Sequence, residues 1–276
     1  MSTALAVFHG AFGRAALYRL NKPLAPHAHR EGHLIFHVAG MPGIVDIDGH
    51  RQLMDAGCGA AISPWEPHDF RPTDFGSGGT FLTLYISPRW FEEQSSGPGN
   101  AMRFGSPRVV LDANLTRLVA IVSDMMADGH MGERFPGYLY ELTGSAFEST
   151  WQKAPVLARD PSLWPRLSDY RIRNAMRLMN ERVTDACVLD RIARDAGLSR
   201  PHFYKLFRQN IGLTPNMYLN TLRLERSIDR LTRSEEPVTS IGLDLGFASQ
   251  ASFTRFFSNN IGMAPTDYRR ASVLSG

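Results

Sequence analysis

Apolar residues are spaced in two different ways along the chain. Between about residues 15 and 90 they form short β-branched and aromatic runs, such as LIFHVAG at 34–40 and TFLTLYI at 80–86, bounded by Gly, Pro and Asp. Runs of that kind read as strands. VDIDGHRQL at 45–53 alternates about Asp48-Gly49, a pair that favours the two-residue turn of a hairpin. Short strands at close spacing with no helix between them predict a small antiparallel barrel or sandwich. EQSSGPGN at 93–100 reads as a loop. From Asp112 the period lengthens: Leu115, Leu118, Val119, Val122, Met125 and Met126 recur three and four apart, the spacing of one helix face. A second helix is predicted from Tyr138 to Trp151. KAPVLARDPSLWP, at 153–165, holds three prolines and reads as a linker. From Arg166 to Gly276 helical spacing dominates, interrupted at Gly197, Gly212, Gly246 and Gly262. The predicted class is therefore α+β and multidomain. It places a barrel over 1–110, a helical packing or dimerisation segment over 111–152, the linker, and an all-α domain over 166–276.

Those four glycines punctuate a repeat. IARDAGLSRPHFYKLFRQNIGLTPNMY, from Ile192, matches IGLDLGFASQASFTRFFSNNIGMAPTDY, from Ile241. Nine positions coincide: Ile192 with Ile241, Gly197 with Gly246, Phe203 with Phe253, Phe207 with Phe257, Asn210-Ile211-Gly212 with Asn260-Ile261-Gly262, Pro215 with Pro265, and Tyr218 with Tyr268. So many matches over about 27 residues mark an internal duplication. Each copy reads as helix, turn, helix. Gly197 and Gly246 stand where a helix ends in positive φ, and Ser199 and Ser249 stand where the next begins. Phe203, Leu206 and Phe207 in one copy, and Phe253, Phe256 and Phe257 in the other, fall on one inward stripe. Arg200, Pro201, Tyr204, Lys205 and Arg208 fall on the opposite face of the first copy, and Gln250, Ala251, Thr254, Arg255 and Ser258 on that of the second.

Charge sharpens that picture. The net charge of +3 over 276 residues is the sum of a basic and an acidic part. Residues 166–276 carry 17 Lys and Arg against 11 Asp and Glu, and the rest of the chain carries 13 against 16. The basic part is the one suited to a polyanion. Gln pairs with adenine in two places and Arg with guanine likewise in the major groove, while a small residue such as Ala251 allows close approach and touches a thymine methyl. A plain helical bundle with solvated faces explains one copy as well as DNA binding does. Two copies with such outer faces favour DNA.

The tandem units, joined by a helix around YLNTLRLERSIDRL, resemble the DNA-binding region of the AraC/XylS family of bacterial transcription regulators, and GFASQASFTRFFSNNIGMAPTDYR is similar to that family's signature. The resemblance spans about Arg166 to Arg270. It implies two recognition helices in successive major grooves on one face of double-stranded DNA. The base-facing positions it implies are Pro201, Tyr204 and Lys205 in the first unit and Gln250, Ala251 and Arg255 in the second. Pro201 has no side-chain donor, so reading by the first unit leans on Arg200, Tyr204 and Lys205. Arg173, Arg208 and Arg269 are candidate phosphate contacts.

Six of the nine histidines lie between 27 and 68. PHAHREGH at 26–33 and GAAISPWEPH at 59–68 resemble the two motifs of cupin barrels, in which His-x-His, an acidic residue and a later His converge on a metal. The pattern departs at the acidic position: after three intervening residues His29 is followed by His33, and Glu31 comes too early. The barrel also resembles the effector-binding domain that precedes the tandem units in many AraC-type regulators, which implies small-molecule binding without chemistry. Three readings of the histidines stay open, in descending order: hydrogen bonds to an organic effector, structural polar residues of a barrel rim, or a divalent metal site. The effector-binding candidates are His27, His29, His33, His68, Phe36, Trp65 and Tyr85, with Phe70 a further apolar wall. The metal candidates are His27, His29, His33 and His68; no other cofactor is expected.

Composition adds exclusions. No window reaches the length of an apolar membrane span, and the N-terminus has no basic start followed by a long apolar run, so neither a membrane anchor nor a signal peptide is expected. Cys58 and Cys187 lie far apart, which suits a reducing cytoplasm. The sequence therefore predicts a cytoplasmic, effector-responsive transcription factor and not an enzyme. The expected partners are DNA, a small-molecule effector, a second copy of the chain and RNA polymerase. The alternative is a metal-dependent cupin enzyme fused to a DNA-binding domain, with Glu31 or Glu66 as its base.

Overall fold

The computed structural model describes residues 2–94, 102–152, 169–185 and 188–274. The predicted linker at 153–165 and most of the predicted loop at 93–100 lie outside them. The chain divides into two compact units, residues 1–159 with 259–276 and residues 160–258.

The first unit is built on two sheets. Its strands are β1 (Thr3–Gly10), β2 (Gly13–Leu20), β3 (Leu24–His27), β4 (Gly32–Gly40), β5 (Gly43–Ile47), β6 (His50–Met54), β7 (Cys58–Ile62), β8 (His68–Pro72), β9 (Gly79–Ile86) and β10 (Arg108–Val110). A last strand, β11 (Ser272–Leu274), joins them from the far end of the chain. The larger sheet runs β10-β7-β4-β9-β2-β1-β11 and the smaller β3-β8-β5-β6. Every pairing is antiparallel except that of β1 with β11. The expected hairpin is β5–β6: Ile47 pairs with His50, and Asp48 and Gly49 both take positive φ (47° and 85°), as the favoured two-residue turn requires.

Helices α1 (Pro88–Gln94), α2 (Ala113–Ala127) and α3 (Phe135–Gln152) complete this unit's N-terminal part. Asp112 caps α2, its Oδ1 accepting from the Leu115 N–H at 2.8 Å. The predicted stripe of α2 is buried: Leu115, Leu118, Val119, Val122 and Met126 pack with α3 against Leu17, Leu34, Phe36, Leu82 and Leu84 of the larger sheet. That stripe belongs to the core of the unit and is not available as a dimer face.

Side-chain parity sorts the larger sheet. Leu34 and Phe36 of β4 point to the helices, so His33 and Ile35, one residue out of step, face the other way. β4 and β9 are buried on both faces, which is why their sequences show no alternation.

The second unit contains α4 (Tyr170–Glu181), α5 (Val188–Asp195), α6 (Arg200–Ile211), α7 (Pro215–Arg233), α8 (Val238–Asp244) and most of α9 (Gln250–Ile261). Both turns of the repeat close alike. The Leu198 N–H bonds Ala193 O and the Gly197 N–H bonds Arg194 O; the Phe247 N–H bonds Gly242 O and the Gly246 N–H bonds Leu243 O. With φ of +66° at Gly197 and +83° at Gly246, these are paired C-terminal caps of the same type. Ser249 caps α9 as predicted, accepting from Ser252 N at 3.2 Å, while Ser199 holds the cap position without a side-chain bond. Phe203, Phe207, Phe253 and Phe257 are fully buried, and Leu206 and Phe256 half-buried.

The expected domain 166–276 differs from the observed unit at its end. Helix α10 (Pro265–Ala271) and β11 group with the first unit. Two contacts account for this: residues 272–274 add a parallel strand to the edge of β1, and the Arg14 Nη1 donates to the Tyr268 hydroxyl at 3.1 Å. Tyr268 also sits 3.2 Å from His9 Nε2.

Candidate functional sites

The interior face of the first unit brings four of the six clustered histidines together. His27 ends β3, His29 follows it, His33 begins β4 and His68 begins β8. Each is no more than 6% exposed. Register explains the convergence: His27 pairs with His68 across β3–β8, and His33 pairs with Tyr85 across β4–β9. The ring centres of His27 and His68 are 4.4 Å apart, those of His27 and His29 4.8 Å, and those of His29, His33 and His68 each 5.2 Å from one another. Tyr85 stacks on His33 at 4.4 Å, and the Arg14 guanidinium carbon lies 3.6 Å from the Tyr85 ring centre.

Hydrogen bonds fix the tautomers. His27 Nδ1 is 2.6 Å from Ala25 O, and His68 Nδ1 is 2.9 Å from Glu66 O. A carbonyl only accepts, so both Nδ1 atoms carry the proton and both Nε2 atoms carry the lone pair. His33 Nδ1 then donates to His68 Nε2 at 3.3 Å, which leaves the His33 lone pair on Nε2 as well. The Nε2 atoms of His29 and His33 are buried without a hydrogen-bond partner. Leaving a buried polar atom unsatisfied costs about 1–3 kcal/mol. Burial holds the four imidazoles neutral: His27 is lowered from its ordinary pKa, His29 and His33 fall well below it, and His68 is pushed down to about 3.

The other barrel candidates separate. Phe36 lies on the helix side of β4, in the core and away from the histidines, because its parity is opposite to that of His33. Trp65, at φ +65°, meets His29 through the backbone, its N–H donating to the His29 carbonyl at 2.7 Å. Phe70 and Tyr85 line the same small cavity as His27, His33 and His68, together with Ile261 of the C-terminal segment. Glu66, a candidate base, has its Oε2 accepting from the Ser63 N–H at 2.9 Å. The sequence missed Arg14 and Tyr18, which are buried beside the cluster, because β2 is apolar on both faces and shows no alternation.

In the second unit the predicted outer faces are outer faces. Arg200, Pro201, Lys205 and Arg208 are exposed on α6, with Tyr204 half-buried. On α9, Gln250, Ala251, Thr254, Arg255 and Ser258 line one shallow open depression. The structure adds two residues that sequence reasoning overlooked. The Thr239 hydroxyl of α8 donates to Gln250 Oε1 at 2.5 Å, and Asp190 of α5 pairs with Arg200 at 3.1 Å. Aligning the two copies makes Asp190 equivalent to Thr239 and Arg200 equivalent to Gln250, so the first residue of each outer helix is tethered from the same place. That equivalence was available in the repeat itself.

A sheet-built unit with a small, largely apolar cavity that three histidines line, joined to a duplicated helix-turn-helix, is the architecture of a bacterial transcription regulator. A model of the AraC-like ligand binding domain matches residues 18–142, and a helix-turn-helix domain model matches residues 192–271. The chain belongs to the AraC/XylS family. It is similar to the probable transcriptional regulator LumQ of Photobacterium leiognathi, at 23% identity over 91% of this chain and 94% of that one. An HTH-type transcriptional regulator of Haemophilus influenzae is 30% identical over 39% of this chain, and the match spans only 36% of that relative's length. Among solved structures, ToxT of Vibrio cholerae shares the fold, with a TM-score of 0.57 and 13% identity over 98% of this chain and 97% of that one. A further ToxT structure holds an unsaturated fatty acid (TM-score 0.55, 14% identity, 100% and 97% covered).

Proposed function

We infer that this regulator binds a two-element DNA site with α6 and α9 and senses a small molecule at the buried histidine cavity. The observation that carries the reading is the paired tether: equivalent residues, Asp190 and Thr239, hold the first residue of two equivalent exposed helices. A merely structural duplication has no need to orient solvent-facing side chains twice. Base-facing roles are assigned to Arg200, Tyr204 and Lys205 of the first unit and Gln250, Ala251, Thr254 and Arg255 of the second, with Pro201 close to the bases as an apolar contact. Arg208 is assigned to phosphate. The fatty-acid complex of ToxT supports an apolar small molecule as one effector class for a barrel of this fold. Action in the cytoplasm, as a homodimer and in contact with RNA polymerase follows the family pattern and belongs to this proposal. No described helix is long and apolar enough to cross a membrane.

Selection of random duplexes by the full-length protein tests the reading. The expected product is an asymmetric consensus whose two elements are centred about 10 base pairs apart. Recovery of unenriched sequence would overturn it.

A further inference from the structure

Four buried imidazoles in mutual contact need a reason. We propose that His27, His29 and His68, with His33 as a fourth donor, bind a divalent first-row transition metal ion. This gives an ion to the same histidine cavity that the regulator reading gives to an effector, and it stands on that cavity's geometry and not on DNA binding.

One ring nitrogen from each of His27, His29 and His68 lies within 4.8 Å of the other two. Three nitrogen ligands around a tetrahedral ion, at 2.0–2.1 Å each, stand about 3.3 Å apart. The observed spacing closes to that value if each ring moves inward by about an ångström or less. Donor chemistry agrees: neutral imidazole suits Zn, Cu, Ni and Fe, while Mg and Ca need oxygen. The outer contacts agree too. Ala25 O and Glu66 O hold the Nδ1 protons of His27 and His68, and a carbonyl on the far nitrogen is what orients a metal-bound imidazole. The Nε2 atoms of the cluster lack a complete set of partners. His29 Nε2 and His33 Nε2 are buried with none, and His68 Nε2 has only the 3.3 Å contact from His33. An ion at the centre gives each of them one. His33 then gives up its contact with His68 and turns Nε2 to the metal or leaves that position to an exogenous ligand.

The alternative of a purely structural cluster is weakened by its lack of a satisfied network. Rings retained for packing need only apolar surroundings, and here two ring nitrogens are buried without a partner. The cupin pattern places an acidic residue where this chain has His33, so the site is all-nitrogen.

The test uses full-length protein stripped with a chelator and reloaded with Co²⁺, followed by absorption spectroscopy and metal analysis. The expected result is one Co²⁺ per chain, retained through gel filtration, with the intense visible bands of a four-coordinate nitrogen site. Zn²⁺ should displace it and raise the thermal midpoint. His29→Ala and His68→Ala should each lose the bands, while His50→Ala, exposed and outside the cluster, should keep them. Weak octahedral bands or no retained metal in the parent would overturn the site without reference to any variant, and so would Co²⁺ binding that survives His29→Ala and His68→Ala combined in one chain. DNA binding is measured on the same preparations. DNA binding by protein that retains no metal on reloading overturns this inference alone, and retained metal with no DNA binding overturns the regulator reading alone.

Discussion

Arg255 and Arg200 stand on the outer faces of equivalent helices, the first at the sixth residue of α9 and the second at the first residue of α6, and they carry different burdens. Arg200 shares its charge with Asp190 at 3.1 Å and leans over Tyr204, its guanidinium carbon 5.5 Å from the ring centre. Arg255 is exposed in the depression of α9 beside Gln250 and Ala251. Arg255→Ala should therefore weaken binding to the selected site by about 1–3 kcal/mol and relax the preference at one base pair. Titration of selected and scrambled duplexes checks this, and equal affinities to those of the parent would remove Arg255 from the reading face. A second residue-scale test concerns Tyr268, whose hydroxyl accepts from buried Arg14. Tyr268→Phe leaves that guanidinium with one partner fewer and should cost about 1–3 kcal/mol in urea unfolding. Residue placement was legible where a motif or a polar face announced it, as at Gln250 on an outer face and the four histidines of the cluster. Arg14 was not, because β2 is buried on both faces and a lone Arg among apolar residues reads as an outward one. Phe36 was placed on the wrong side for the matching reason: composition shows an aromatic, but only register gives its face.

Turn geometry separates the two helix-turn-helix units more finely than their sequences do. At Gly197 an added Cβ would meet nothing within 4 Å, so Gly197→Ala should cost only the left-handed strain, about 1–2 kcal/mol. At Gly246 the same atom would sit 2.5 Å from the Thr184 carbonyl oxygen, a contact that backbone cannot relieve cheaply. Gly246→Ala should cost a further 1–3 kcal/mol or so, as overpacking does. Thermal or urea unfolding of the two variants checks the order; a Gly197 variant as damaging as the Gly246 one contradicts it. The tether from α8 makes a separate claim about function. Thr239→Val removes the hydroxyl that holds Gln250 Oε1 and should broaden base preference at one position of the site, with stability nearly unchanged. An unaltered consensus would show that the bond does not orient the reader. The repeat made these helices, their caps and their inward aromatics visible beforehand, since Gly and Phe at fixed offsets have one structural meaning each. Strands β1, β10 and β11 went unseen. Two of them are three residues long, and β11 exists only because β1 offers an edge.

At the scale of the whole chain, the basic charge of residues 166–276 is the feature that sets how affinity responds to salt. Each Lys or Arg that neutralises a phosphate releases condensed counterions, so the slope of log affinity against log salt counts such contacts at about 0.9 per phosphate. The two outer helices divide this work unequally. α6 offers Lys205 and Arg208 in the open with a proline between its first residue and its readers, whereas α9 offers Gln250, Ala251 and a single cation, Arg255. If the proposed roles hold, the first unit contributes more to hold than to discrimination, and the second more to discrimination than to hold. Arg208→Ala should then weaken binding to selected and scrambled DNA by the same factor and lower the salt slope by about 1. Arg255→Ala should instead narrow the gap between the two DNAs. Fluorescence anisotropy on both variants between about 50 and 200 mM salt measures slope and gap together. If Arg208→Ala leaves the slope of the parent intact while changing the ratio of selected to scrambled affinity, the division between the units is reversed, and α6 is the stronger reader.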